Sequence, residues 1–171
     1  DGETYRPFGL VLAEWLAASP EEVLEDYRSR VDSEAAALMR AYETDGNIKH
    51  VRRVASNFIA SSHGIDAAIL VILDALDRHN YETVQYYLAL VQRFSGFGEL
   101  GTEALQKLRA AEVIALCGIG LPVKAKEKLE GYQQSGELES AELAAWLDAL
   151  VAPMVVEDAG PAAAIPGYLK T

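Results

Sequence analysis

One cysteine among 171 residues excludes an internal disulfide, and a lone thiol, Cys117, on a long helical chain suits a reducing compartment, so the expected location is the cytoplasm. No apolar run reaches the ~20 residues that a membrane helix needs; Ile69 to Leu73 is closely flanked by Asp66 and Asp74. The opening residues lack the charged, apolar and small-residue order of an export signal. Basic residues are scarce: 15 Lys and Arg stand against 26 Asp and Glu, a formal charge of -11. Such a surface repels phosphate backbones, which removes nucleic acid as an expected partner.

Enzyme signatures are missing too. Neither HExxH nor ExxH occurs, so zinc-peptidase and di-iron readings lose their ligands. No GxSxG, P-loop or paired-cysteine pattern is present. Gly118-Ile119-Gly120 has no third glycine and no strand before it, and Pro122 follows at once, which is helix-turn chemistry rather than a dinucleotide loop. The expectation is a protein that is not an enzyme.

What the chain has is helix. Half of its residues are apolar, enough for a sizeable core in one domain, and no run alternates with period two. Leu10 to Leu16 reads as a short helix packing through Trp15 and Leu16. Ser19-Pro20-Glu21-Glu22 reads as a cap, a first-turn proline and a returning glutamate. The helix it opens should run to about Arg40, with Val23, Leu24, Tyr27, Val31, Ala35 and Leu38 as its apolar stripe. Asp45-Gly46-Asn47 is a turn. Val51, Val54, Phe58 and Ile59 face the core before the small cluster Ser61-Ser62-His63-Gly64, and Asp66 to Leu76 should be the most buried helix. Gly96, Gly98 and Gly101 break the chain, Thr102 can cap the next helix, Pro122 opens another, and Ser135-Gly136 precedes a last one with Leu143, Trp146, Leu147 and Leu150. Residues 153–171 read as an irregular arm. The sum is about seven helices in a single all-α domain covering 1–171.

From Tyr86 to Pro122 the order is helix, glycine corner, helix, then GIGLP. This resembles the later half of the phycobiliproteins, the globin-fold light-harvesting proteins of cyanobacteria, with a similar Tyr-Tyr-Leu start and glycine-proline turn at nearly the same separation. The resemblance implies a globin-like domain with extra N-terminal helices. It departs at the pigment. The family attaches a linear tetrapyrrole through Cys-x-Arg-Asp about six residues ahead of the paired tyrosines, where this chain has Asn80, Tyr81, Glu82 and Thr83. No covalent bilin is therefore expected. What remains is similar to the phycobiliprotein-like globins associated with bilin biosynthesis, which implies non-covalent binding of a bilin, with haem less favoured, or association with bilin-synthesis proteins.

On that resemblance a tetrapyrrole pocket would lie near Arg78, His79 and Tyr86. Arg52 and Arg53 could pair with propionates, since carboxylates favour bidentate arginine, although ion pairs with the abundant acids explain them more simply. His79 is the histidine nearest that region, yet a solvated histidine at a helix end accounts for it more simply, and His63 reads as a helix-terminal residue favoured by the dipole. Adjacent Tyr86 and Tyr87 point about 100° apart on a helix, so one should be core and the other rim. Phycobiliproteins join through their N-terminal helices, which implies a homodimer here with Leu12, Trp15 and Leu16 at the interface; folding of that helix onto its own core is the alternative. Three functions follow: a non-covalent tetrapyrrole protein, a helical interaction module without ligand, and a haem-binding globin sensor.

Overall fold

The computed structural model describes residues 8–98 and 100–158, and these are helical with no strand among them. The elements are α1 (Phe8–Ala17), α2 (Glu21–Asp45), α3 (Ile48–Asn57), α4 (Gly64–Asp77), α5 (Tyr81–Arg93), a 3₁₀ turn (Ser95–Phe97), α6 (Thr102–Gly118), α7 (Pro122–Ser135) and α8 (Ala141–Asp158). They gather into two compact units that divide between Gly101 and Thr102, at the glycine cluster.

In the first unit α3 packs between α2 and α4, α4 packs along α5, and α1 lies on α2 and α3. The core follows from α4, where Ala67, Ala68, Val71 and Ala75 lose all contact with water. Small residues on that face let α3 and α5 approach closely. Val51 and Val54 of α3 and Val84 of α5 are equally enclosed, and each large apolar side chain withdrawn in this way contributes roughly 1.5–3 kcal/mol. At Gly64 the chain comes so near the backbone of Ile59 that an added Cβ would lie 2.2 Å from its carbonyl oxygen, so only glycine fits.

Helix ends follow local chemistry in most places. Gly46 takes a left-handed φ of 67° and donates its N–H to Tyr42, and Asn47 caps α3 by accepting from the N–H of Lys49. Ser19 departs from expectation. The helix begins at Glu21 behind Pro20 with no side-chain cap, and the Ser19 hydroxyl donates backwards to the Trp15 carbonyl at 2.8 Å, closing α1 instead. The α2 helix also outruns Arg40, reaching Asp45 because nothing before Gly46 breaks it.

The second unit packs α7 against α6 and α8. Val113, Ala125, Leu129 and Leu147 are fully enclosed at its centre. The expectation of an irregular arm from residue 153 is wrong for its first part, because α8 continues through Pro153 to Asp158. Proline removes one backbone donor, but Met154 and Val155 pack on the core beyond it and hold the helix in register. Residues 159–171 of the arm lie outside the described residues.

Candidate functional site

The residues proposed from sequence divide into two places. Arg52 on α3 and Arg78 at the end of α4 meet on one carboxylate: Asp74 Oδ2 accepts from Arg52 Nη2 at 3.3 Å, and Asp74 Oδ1 accepts from Arg78 Nε at 2.9 Å. Two guanidiniums on one carboxylate leave an excess positive charge, and Arg52 Nε is buried without a hydrogen-bond partner. Arg53, pointing elsewhere, pairs with Glu34 of α2 at 2.7 Å. Arg78 and His79 are both exposed.

His79 ends α4 through its backbone. It sits at a left-handed φ of 55°, its N–H donates to Leu76, and the next N–H, of Asn80, donates to Ala75. That pair of bonds is the Schellman closure, in which glycine normally holds the left-handed position. The imidazole Nδ1 lies 3.0 Å from the Tyr81 hydroxyl. His63, by contrast, precedes the first turn of α4, so it stands at the positive rather than the negative end of a helix dipole. The tyrosines separate as adjacent helical positions must: Tyr87 is buried with its hydroxyl 3.1 Å from Ser56, while Tyr86 stays 50% exposed and meets Tyr87 edge-on.

The second place is α1. This helix is apolar on both faces and carries a single charge, Glu14, which pairs with Arg93 at 2.8 Å. Ala13 and Leu16 are buried against the unit, and Gly9 approaches so closely that an added Cβ would lie 2.4 Å from the Ser56 carbonyl. The opposite face carries Phe8 at 77%, Val11 at 45% and Trp15 at 58% exposure. Leu12 is half-buried between the faces. Of the three residues proposed for an interface, Leu16 therefore belongs to the core, and Trp15 and Leu12 remain available. Alongside α1 runs a groove of about 550 Å³ bounded by Phe8, Leu12, Tyr27, Val31 and Phe58, with no charged residue in its wall. Burial raises the Tyr27 hydroxyl above the ordinary tyrosine range, and Asp32 adds to it.

The second unit holds a polar cluster of its own. Tyr132 donates to Glu112, Lys128 pairs with Glu112 at 2.9 Å, and Arg109 pairs with Glu137 at 2.6 Å while lying over the Tyr132 ring. Burial and the Glu112 carboxylate drive the Tyr132 pKa well up. Every charge in this cluster has a partner, which marks it as a structural brace between α6, α7 and the turn that follows. Cys117 is buried, and that burial pushes its thiol up, away from the reactive thiolate. Among the described residues no group of His, Cys, Asp and Glu is arranged to hold a metal, and no helix is long and apolar enough to cross a membrane.

No family model, curated protein or solved structure matches this chain.

Proposed function

We propose that the chain is a helical interaction module that self-associates through the outer face of α1. One observation carries this reading: a helix apolar all round is ordinarily enclosed on every side, whereas α1 leaves Phe8, Val11 and Trp15 in water. Aromatic side chains of this size dominate interface energetics when they become buried. The face is also uncharged apart from Glu14, which Arg93 offsets, so two molecules of charge -11 can approach there with the least repulsion. Sedimentation velocity over a wide concentration range tests the reading. The wild-type protein should shift from monomer to dimer as concentration rises, and Trp15→Glu should stay monomeric with its helicity intact. A wild type that is monomeric at every concentration refutes self-association.

The Arg52–Asp74–Arg78 arrangement favours a second reading, non-covalent binding of a tetrapyrrole by a globin-like protein. Two guanidiniums around one carboxylate suit a propionate, and the exposed Tyr86 offers a ring for stacking. Titration with bilins and haem, followed by Arg52→Ala, Arg78→Ala and Tyr86→Ala, tests it. Absorbance that does not change up to the solubility limit removes this reading and leaves the first untouched.

A further inference from the structure

The α7 helix carries two charges that its own electrostatics does not explain. Cations stabilise the negative end of a helix dipole, yet Lys124 stands in the first turn of α7, at the positive end, with no acidic residue in that turn and no side-chain cap. Glu127 follows three positions later. A lysine ahead of a glutamate is the weaker order for an intrahelical pair, and these two do not pair. Lys126 takes Glu130 and Lys128 takes Glu112, so Lys124 and Glu127 are left without an ion-pair partner among the described residues.

Both charges border a cleft of about 270 Å³ between α6 and α7, walled by Glu112, Leu116, Lys124, Glu127 and Lys128. Leu116 is almost enclosed and supplies its apolar surface. Tyr132 and Lys128 hold the Glu112 carboxylate, so that part of the wall is fixed and already neutralised, while the unpaired cation and anion lie about one helical turn apart along α7. The volume is at the small end of ligand sites, which run from about 300 to 1,000 Å³. We propose that this cleft binds a small zwitterion with an apolar side chain, an α-amino acid such as leucine. Its carboxylate accepts from Lys124 and from the unpaired amides of the first turn of α7, its ammonium donates to Glu127, and its side chain rests on Leu116. A ligand with one charge would leave either Lys124 or Glu127 unmatched, whereas a zwitterion matches both. The site lies within the second unit and uses neither α1 nor the arginine pair, so its failure leaves both readings of function unaffected.

Amide nuclear magnetic resonance of the full chain tests the proposal with three probes of similar shape: L-leucine, isocaproate, which lacks the ammonium, and isoamylamine, which lacks the carboxylate. Leucine should shift the amides around Leu116 and Lys124. Each analogue should bind at least about tenfold more weakly, because a hydrogen bond between charged groups contributes that factor or more. Lys124→Met should weaken leucine by a similar factor and leave isoamylamine unchanged, whereas Glu127→Gln should weaken leucine and leave isocaproate unchanged. Both positions are exposed, so neither variant endangers the fold, and a loss of structure would not produce this crossed pattern. Absence of any shift with leucine up to its solubility, shifts that map away from the cleft, three probes that bind alike, or variants that bind leucine like the wild type would each overturn the proposal.

Discussion

Arg28 is the side chain whose removal should cost the first unit most for its position on a helix surface. It leaves α2 half-buried and donates from Nε to the Ala60 carbonyl at 3.1 Å and from Nη2 to the Phe97 carbonyl. A single guanidinium thereby ties the α3–α4 turn and the 3₁₀ turn to α2. Four residues on, Asp32 accepts from the N–H and hydroxyl of Ser62 and grips the same α3–α4 turn. In Arg28→Met the apolar stem persists, but two carbonyls on buried residues lose their charged donor. Hydrogen bonds to charged groups contribute about 1.5–3 kcal/mol each, and two bonds from one group are not additive, so the expected loss is roughly 2–4 kcal/mol. With a urea slope of about 2 kcal/mol/M, the unfolding midpoint should fall by about 1–2 M, followed by far-ultraviolet circular dichroism and by Trp15 fluorescence in a Trp146→Phe background. Arg28→Lys should recover only part of the loss, because one ammonium cannot span two separate carbonyls as a planar fork does. A midpoint unchanged in Arg28→Met, or fully restored by lysine, would refute the two-carbonyl bridge.

Three further outcomes follow from the same structure. Leu147 is fully enclosed in the second unit, and Leu147→Ala should lower stability by about 2–5 kcal/mol through lost transfer energy and a residual cavity, read by thermal unfolding. His79→Gly should raise stability by about 0.5–1 kcal/mol, since glycine adopts the left-handed position without steric cost; a loss instead would give the imidazole a structural role beyond its exposed contact with Tyr81. Tyr132 holds its proton in the folded chain well above the ordinary tyrosine pKa. Its contribution is thus intact below about pH 10 and is lost as pH rises above that value, where the unfolded chain ionises first. Tyr132→Phe should flatten this alkaline decline in urea midpoints, and an unchanged slope would contradict the raised pKa.

The parts of the fold legible in the sequence are those that local chemistry decides. Asp45-Gly46-Asn47 closes one helix and caps the next because glycine accepts positive φ and asparagine reaches a neighbouring N–H. Pro122 opens α7, the run through Leu76 makes α4 the most enclosed helix of the first unit, and the two adjacent tyrosines separate into core and rim. What was not legible depends on partners distant along the chain. Ser19 had a proline and two glutamates after it that suggested a cap, yet the Trp15 carbonyl was within closer reach. Pro153 looks like a stop, and only the core beneath Met154 and Val155 explains why α8 continues. The meeting of Arg52 and Arg78 requires Asp74 to sit between two helices, a fact of packing that spacing along either helix does not contain. Trp15 is the most instructive case. In a helix apolar all round no periodicity separates inner from outer face, so Leu16 and Trp15 looked alike although one is enclosed and the other stands in water.

Self-association as proposed covers that outward tryptophan with a second copy of the chain. Acrylamide quenching of Trp15, measured in a Trp146→Phe background from nanomolar to high micromolar concentration, tests this most directly. The quenching constant should fall severalfold along the same concentration curve that forms the dimer, and Leu12→Ala should move that curve to higher concentration. Quenching that stays high and independent of concentration while a dimer forms would contradict burial of Trp15, and with it the assignment of α1 as the interface.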